Sequence, residues 1–559
     1  MNLCAQCKNQ FEITDANREL LERLNVPPPA VCAPCSMKRK FAFRNERTLY
    51  QDTCDLCSKQ MISMYHPKAG YTVYCLECIN SDAWDPLSYG QSFDFSRGFF
   101  EQFQQLIKRV PRAARMVANN ENSDYINYSY HTKNSYLSFA GNMMEDCLYC
   151  NLAQESRSCV DTDYAHGSEL CYECVGIQQC YACQYVVDSQ NCHSSQFLKD
   201  CSDCSDCFLC CNMKHKSHCF MNTQYSKEEY EQKTKAFRQR PLDEQKSFFE
   251  QYVRGFPRRC NYNYNSEGCI GEYITKSKNC IDCYQMYEGE NCRDVHTGFP
   301  GLRDSLRSCY VGEQAELVYE SLASGADCQR LRWCIVAVSK SSDIDYSEFC
   351  FSSTNLFGCS GMKGKQYCIF NTQYSKDEYA VLRKKIIEHM KKTGEWGFSF
   401  DPRISPFGYN ETVAMDFYPL SKDAALAQGY HWQDDIPVTT GKETISWSDI
   451  PNDIEAVDES ICKEILACTA TGKNYKIVKQ ELAFYKKFNI PLPCLHPEER
   501  HRQRMKYRNA FEFYHRQCMC NLSGHEHADR CPTEFETTYD PNRSETVFCE
   551  DCYQKEIAQ

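Results

Sequence analysis

The stretch C-S-D-C-S-D-C-F-L-C-C, residues 201–211, decides how the centre of this chain is interpreted. Four of its cysteines recur at every third position and a fifth follows directly: Cys201, Cys204, Cys207, Cys210 and Cys211. A run of C-x2-C spacings is typical of loops that hold a metal or an iron–sulfur cluster. Two other interpretations are a redox relay and a coil of a repeat whose interior positions are cysteine.

The cysteines around this stretch favour the repeat. Six of them follow one another in steps of nine residues: Cys174, Cys183, Cys192, Cys201, Cys210 and Cys219. One such step fits a strand with a turn, so two steps predict a parallel β-solenoid coil of about 18 residues. Equivalent cysteines then form ladders in a narrow core, where a buried thiol acts as a small hydrophobe.

The central region is duplicated. Residues 207–230 return as residues 356–379, and the hexapeptide N-T-Q-Y-S-K is identical in both copies. The Ser-Lys at its end opens the pattern S-K-[ED]-E, a capping box that begins a helix. We therefore predict a mainly β fold with two tandem Cys-rich parallel β-solenoid units, each closed by a helix. The predicted boundaries are tandem zinc ribbons 1–80, an aromatic and helical connector 81–118, solenoid units 119–258 and 259–395, an irregular linker 396–455 and a degenerate C-terminal ribbon pair 456–559.

Four C-x2-C pairs near the N-terminus predict two zinc ribbons. Each pair forms a tight turn that aims two thiolates at one point, and two turns complete a tetrahedral Zn²⁺ site. Four protein ligands leave no open coordination position, so these sites are predicted to stabilise the fold rather than catalyse a reaction. The first site pairs Cys4 and Cys7 with Cys32 and Cys35, and the second pairs Cys54 and Cys57 with Cys75 and Cys78.

The C-terminus repeats this plan with changes. C-A-Q-C-K-N-Q-F-E-I (4–13) aligns with C-T-A-T-G-K-N-Y-K-I (468–477), where Cys7 meets Thr471. At the same offset His496 and Glu499 replace the second cysteine pair, so we expect a degenerate ribbon around Cys468 with weak or absent metal.

The second C-terminal site keeps three cysteines, and an insertion offers the remaining ligand. The four candidates in the insertion are Cys518, Cys520, His525 and His527, and the choice among them stays open at this stage. The ligands predicted for this site are Cys518, Cys520, His527, Cys531, Cys549 and Cys552, which brings the predicted zinc sites to three.

Composition limits the functional classes. The chain has 559 residues, a net charge of −12 and a mean hydropathy of −0.62, so no global positive field attracts nucleic acid. It shows no signal peptide and no apolar run of about 18 residues, which predicts a cytoplasmic protein without a membrane partner. Its 41 cysteines are then expected to be thiols or metal ligands rather than disulfides.

Two basic patches lie at matched places in the duplicated ribbons. Aromatic residues are interleaved with them, a combination that grips phosphates and stacks bases. The sequence therefore predicts contact with nucleic acid or a nucleoprotein, and the alternative is a structural or protein-interaction scaffold that uses the solenoid surface. The cations are Lys38, Arg39, Lys40 and Arg44 in the N-terminal patch and Arg502, Arg504 and Arg508 in the C-terminal patch.

Catalytic motifs are not recognised in the sequence. It contains no G-x-S-x-G, P-loop or H-E-x-x-H pattern. Neighbouring pairs such as Cys192 and His193 point to opposite faces of a strand, so they do not form a nucleophile and base. A non-enzymatic protein is favoured, an enzyme of unidentified chemistry stays an alternative, and the oligomeric state is left open.

Several motifs together resemble a known protein family. They are F-R-N-E-R-T-L-Y (43–50), N-T-Q-Y-S-K-[ED]-E-Y, H-M-K-K-T-G-E-W-G (389–397), F-G-Y-N-E-T (407–412) and F-C-E-D-C-Y (548–553). The chain is similar over nearly its whole length to an uncharacterised family of Cys-rich zinc-ribbon proteins of candidate-phylum bacteria and large DNA viruses. Members sometimes carry the label CaiB/BaiF, a CoA-transferase name that no residue pattern here supports. The resemblance implies zinc ribbons, no established activity, and a virus particle as a second location if the source is viral.

Overall fold

The computed structural model describes residues 1–557 apart from positions 333, 335, 400, 523, 526 and 528. The chain divides into two units. Unit 1 comprises Met1–Arg115, Arg259–Asp434 and Ala510–Glu550, and unit 2 comprises Met116–Arg258, Asp435–Asn509 and Asp551–Gln559. Each unit contains one Cys-rich parallel β-solenoid, as the sequence predicts.

The solenoid of unit 2 repeats every twelve residues. Its parallel strands pair Asp163 with Val175 and Gln184 with Gln196, each twelve positions apart. Isolated bridges continue the same spacing toward the start of the unit. The predicted coil of about 18 residues is therefore wrong. The strands are Val117–Ala118, Ser129–Tyr130, Asp163–His166, Val175–Gln178, Gln184–Val187, Gln196–Lys199, Phe208–Cys211, Cys219–Phe220 and Thr223–Gln224.

Each coil turns at every third residue. The corner residues have left-handed backbone, with φ of 54° at Asp203 and 50° at Asp206. Asp and Asn tolerate this conformation better than other side chains with a Cβ, which explains the S-D steps of the opening stretch. One coil has four sides of three residues each. A step of nine residues therefore spans three sides: it leads from one inward-facing residue to another but does not complete a coil.

The residue that follows each corner points into the interior of the coil. Cys201, Cys204, Cys207 and Cys210 fill the four sides of one coil, and each is at most 2% exposed. Thiol groups of the interior donate to carbonyl oxygens of the next coil, as from Cys150 Sγ to Cys159 O at 3.3 Å. Burial raises the pKa of the Cys201 thiol. No metal-sized group of ligand atoms in the described chain includes these cysteines.

The narrow interior gives a test of side-chain size. The described residues of this core include no aromatic side chain. Cys183→Phe should destabilise unit 2 by about 3 kcal/mol, because overpacking forces strained rotamers and backbone shifts. Cys183→Ser should cost about 1 kcal/mol or less, since Ser195 occupies the equivalent position one coil later and donates its hydroxyl to His193 O at 2.8 Å. Calorimetric unfolding of both variants measures the difference, and equal losses would contradict a size-limited core.

Helices cover an aromatic outer face of this solenoid. Phe197 stacks on Tyr185 at 4.7 Å and contacts Phe249 of the helix Leu242–Val253 at 5.6 Å. Phe208 contacts Phe237 of the helix Lys227–Arg238. The same core continues into the C-terminal ribbon helix Lys479–Phe488.

The N-T-Q-Y-S-K repeat ends each solenoid. In unit 2 the last parallel strand, Cys219–Phe220, folds back on Thr223–Gln224 as an antiparallel pair. The helix that follows begins with a complete capping box between Ser226 and Glu229. The copy in unit 1 does the same with Thr372–Gln373 and the helix Lys376–Thr393, so both predicted capping boxes are confirmed.

The solenoid of unit 1 is less regular. Its coils pair residues 11 to 13 positions apart, as in Glu267 with Lys278 and Arg303 with Glu316. The helix Phe99–Arg109 packs on it through Phe99, which contacts Phe357 and Phe370. Its strands are Ile270–Thr275, Ile281–Tyr287, His296–Gly298, Cys309–Val311, Leu322–Ser324, Val336–Val338, Ser342–Asp345, Glu348–Phe351, Thr354–Phe357 and Gln366–Ile369.

The two ribbon pairs have the same order of elements. The N-terminal helix Asp15–Leu24 and its counterpart Lys479–Phe488 both end at an asparagine with left-handed backbone, Asn25 and Asn489. The N-terminal elements are the strands Asn2–Leu3, Gln10–Phe11, Tyr50–Thr53, Gln60–Ser63 and Val73–Tyr74 with the helices Asp15–Leu24, Ala33–Phe41 and Leu76–Ile79. Their counterparts are Leu466–Ala467, Asn474–Tyr475, Tyr514–Gln517, Glu534–Thr537 and Val547–Phe548 with Lys479–Phe488, Pro497–Met505 and Glu550–Ile557.

The segment predicted to be irregular contains short elements only. Its α-helices are Ala414–Phe417 and Lys422–Ala427. The 3₁₀ segment Pro402–Ile404 lies before them and Ile454–Ala456 lies after them. Across the described residues, no helix has both the length and the apolar composition that crossing a membrane requires.

Candidate metal centres

The first N-terminal ribbon brings four thiols to one point. Ligand atoms of Cys4, Cys7, Cys32 and Cys35 all lie within 4.8 Å of one another. The Sγ atoms of Cys7 and Cys32 are 3.7 Å apart. A tetrahedral zinc site with Zn–S bonds of about 2.3 Å requires S–S distances of about 3.8 Å, so the geometry fits such an ion.

The second N-terminal ribbon has the same geometry. Cys54, Cys57, Cys75 and Cys78 form a group of the same size, with Cys57 Sγ and Cys75 Sγ 3.8 Å apart. Cys75 immediately precedes the helix Leu76–Ile79, and its backbone N–H donates to Cys54 Sγ at 3.2 Å.

Hydrogen bonds favour one thiolate in each of the two N-terminal ribbons. The side-chain hydrogen bond with Cys35 lowers the pKa of Cys32 to about 5. At Cys54 burial acts in the opposite direction, but backbone N–H groups of Cys57 and Cys75 outweigh it and lower the pKa to about 6. Since the thiolate is the form that binds metal, these two hydrogen-bonded thiols are suited to a cation.

The ribbon around Cys468 keeps the turn without the ligands. Cys468 N donates to Lys473 O at 2.9 Å, as Cys4 N donates to Asn9 O at 2.9 Å. The described residues around Cys468 contain no group that could hold a metal ion. A salt bridge of 2.6 Å between Lys473 and Glu498 instead links the hairpin to the helix Pro497–Met505.

One of the four candidates completes a group in the last ribbon that could hold a metal ion. Cys518 joins Cys531, Cys549 and Cys552 in a buried four-thiol group. Cys549 N donates to Cys518 Sγ at 3.2 Å, which repeats the hydrogen bond between Cys75 and Cys54. Cys549 and Cys552 are one turn apart where the helix Glu550–Ile557 begins.

Cys520 and His527 lie in a second group, which shares one cysteine with the first. They meet His525 and Cys552 within the same 4.8 Å limit. His525 was weighed in the sequence but not selected as a ligand. Its sequence signal was its place in the same ten-residue insertion as Cys520 and His527.

No family model matched this chain, and a search of curated proteins gave no match either. The family resemblance based on sequence motifs therefore stays a prediction.

The structure divides the seven predicted nucleic-acid-binding cations between interior and surface. Lys40, Arg44 and Arg504 are at most 4% exposed. Lys40 Nζ donates to Arg307 O, and Arg44 forms an ion pair with Glu46. The four remaining cations are exposed or half-buried: Lys38, Arg39, Arg502 and Arg508.

Arg504 belongs to a buried ionic cluster of unit 2. It donates to Asp163 at 2.7 Å and to Asp161 at 2.8 Å. Arg500 forms ion pairs with Asp161 and Glu481 in the same cluster. Burial opposes the ionised form of Asp163, but the charge of Arg504 outweighs it and lowers the pKa of this carboxyl. The guanidinium therefore joins the C-terminal ribbon helix to the solenoid of its own unit.

Two arginines on one helix test this role. Arg504→Ala should destabilise unit 2 by about 3–5 kcal/mol, because it removes a buried cationic partner from both Asp161 and Asp163. Arg502→Ala, whose side chain is 70% exposed beside Glu499, should change stability by about 1 kcal/mol or less. Calorimetric unfolding compares them, and a small loss at Arg504 would show that the buried pairs are not structural.

Duplicated cysteines test the metal assignment. Cys4 and Cys468 occupy the same position of the duplicated ribbon and are both buried. Cys4→Ser should remove one metal ion per chain, because it breaks a four-thiol group, whereas Cys468→Ser should remove none. Elemental analysis of the purified variants gives the metal content, and equal contents would reject the distinction between the two ribbons.

Proposed function

We propose that this protein is a zinc-stabilised scaffold that binds an extended segment of a protein partner along the solenoid of unit 2. The observation that supports this proposal most directly is a groove that follows the coils of that solenoid. The thiol groups supply the rigid framework, and the groove supplies the binding surface.

Zinc suits the ligand groups by chemistry. Soft thiolates in a tetrahedral arrangement select zinc or iron, and closed four-thiol sites are typical of structural zinc. Such sites contribute directly to folding free energy, because the unfolded chain does not hold the ligands together.

The groove has a volume of about 720 Å³ and runs between the solenoid and the helix Lys479–Phe488. One row of its lining comes from the same position of five successive coils: Asn122, Asn134, Asp146, Ser158 and Leu170. With coils about 4.8 Å apart this row is about 19 Å long, which matches about six residues of extended peptide.

The chemistry of the lining changes along the groove. Asp124, Asp146 and the amide side chains make the end near the first coils polar and acidic. Tyr125 and Tyr136 contact each other there at 5.5 Å, and Tyr125 is 37% exposed. Leu170 and Phe484 make the other end apolar. This pattern suits a segment with a bulky apolar residue and, a few residues away, a lysine or arginine.

A phosphate grip receives less support from the geometry. Three of the seven cations predicted to bind nucleic acid are buried with internal partners, so they offer no surface to a phosphate. The described lining of the groove has two carboxylates, Asp124 and Asp146, and one cation, Lys487, so its charge does not favour a polyanion. The protein-scaffold alternative from the sequence is therefore the better supported one.

Selection from a random peptide library displayed on phage tests the groove. Selected peptides should combine an apolar and a basic residue and should lose at least about tenfold in affinity for the Tyr125→Ala/Tyr136→Ala variant. The matched control is Tyr181→Ala, an exposed tyrosine of the same solenoid that does not line the groove.

Titration with a mixed single-stranded oligonucleotide at low and moderate salt tests the alternative that the protein binds nucleic acid. Tight binding that falls steeply with salt and is lost in Arg502→Glu would overturn the peptide proposal. Peptide binding unaffected by the two groove substitutions would also overturn it.

A further inference from the structure

The last ribbon differs from its N-terminal copy by one insertion. Before the insertion, the strand Tyr514–Gln517 aligns with Tyr50–Thr53 at the offset that also aligns Cys518 with Cys54. After it, the strand Glu534–Thr537 aligns with Gln60–Ser63 at an offset ten residues larger, so the insertion is ten residues long. The insertion widens the first C-x2-C turn, so that Cys518 and Cys531 correspond to Cys54 and Cys57. All four original ligands are kept, and the added residues bring further ones.

The insertion supplies three more ligand side chains. Cys520, His525 and His527 lie within 4.8 Å of one another and of Cys552 Sγ. Cys520 Sγ is 3.2 Å from His525 Nδ1, and Cys520 O accepts a hydrogen bond from Cys531 N at 2.9 Å. The backbone bond fixes the insertion directly beside the four-thiol group.

His525 is buried, but the hydrogen bonds of the described residues reach only one of its two ring nitrogens. The residue is 8% exposed, and its Nε2 atom has no hydrogen-bond partner among the residues that the structure describes. A buried polar atom without a partner costs free energy unless another interaction compensates. Metal ligation by this imidazole would compensate for the burial, since neutral histidine is among the commonest metal ligands.

We propose that the C-terminal ribbon holds two metal ions that share the Cys552 thiolate as a bridging ligand. One ion takes Cys518, Cys531, Cys549 and Cys552, and the other takes Cys520, His525, His527 and Cys552. Cys552 is the one residue common to the two groups, and it is 4% exposed. The total of metal ions is then four per chain rather than the three predicted from sequence.

Charge explains why sharing is favourable. A zinc ion with four thiolates has a net charge of −2, which is costly to bury. Two zinc ions with five thiolates and two neutral imidazoles have a net charge of −1 over a larger centre. The bridging sulfur donates to both ions and therefore needs no additional cation nearby.

Metal content of the full chain is the first measurement. Elemental analysis should give four ions per chain for the wild type and three for Cys520→Ala/His525→Ala/His527→Ala. The matched control replaces the same residue types outside any ligand group, Cys462→Ala/His131→Ala/His215→Ala, and should keep four. Three ions in the wild type would overturn the second site.

Cadmium-113 NMR of the wild-type protein loaded with ¹¹³Cd tests the bridge without any variant. Two ions that share one sulfur should give two resonances split by mutual coupling through that sulfur. Four bound ions without such a coupled pair would overturn the shared Cys552. This result is independent of the peptide groove, because neither the metal content nor the coupling involves residues that line it.

Discussion

The constraint on which both solenoids depend is the width of a three-residue side. A coil that turns at every third residue encloses only four inward side chains, so its interior accepts cysteine, serine, threonine, alanine and a few larger aliphatic residues. Cysteine is suited to this space because it is small, apolar and still able to donate a weak hydrogen bond to a carbonyl of the next coil. The high cysteine content of the chain is therefore largely a packing requirement.

The remaining cysteines have a different role, and position distinguishes the two kinds. Interior cysteines face one another across a core in which burial raises the pKa of a thiol such as Cys201. Ribbon cysteines lie on tight turns, where backbone donors lower the pKa of Cys54 to about 6. The same side chain thus fills the solenoid interior as a neutral thiol, and in the proposed zinc sites of the ribbons it would act as an anionic ligand.

Much of this architecture could be predicted from the sequence. The ribbons, the solenoids and the capping boxes follow from spacings that local geometry enforces. The coil length could not be read from the nine-residue step, because nine and twelve are both multiples of the three-residue side and keep the same residues inside. The burial of Arg504 could not be predicted either, since its partners Asp161 and Asp163 lie far away in the sequence. The selection of His525 as a candidate ligand could not be predicted, because its position beside Cys552 depends on how the insertion folds.

The fixed coil has a consequence for how such a protein changes over time. Because twelve residues complete one coil of the unit 2 solenoid, gain or loss of that number preserves which residues face inward and which face the groove. Gain of any number that is not a multiple of three exchanges interior and exterior residues downstream. The groove of unit 2 would therefore lengthen in steps of about 4.8 Å, one added coil at a time. Under the proposed function, homologues with more or fewer coils would bind longer or shorter partner segments, and each coil would contribute one residue to the row that lines the groove.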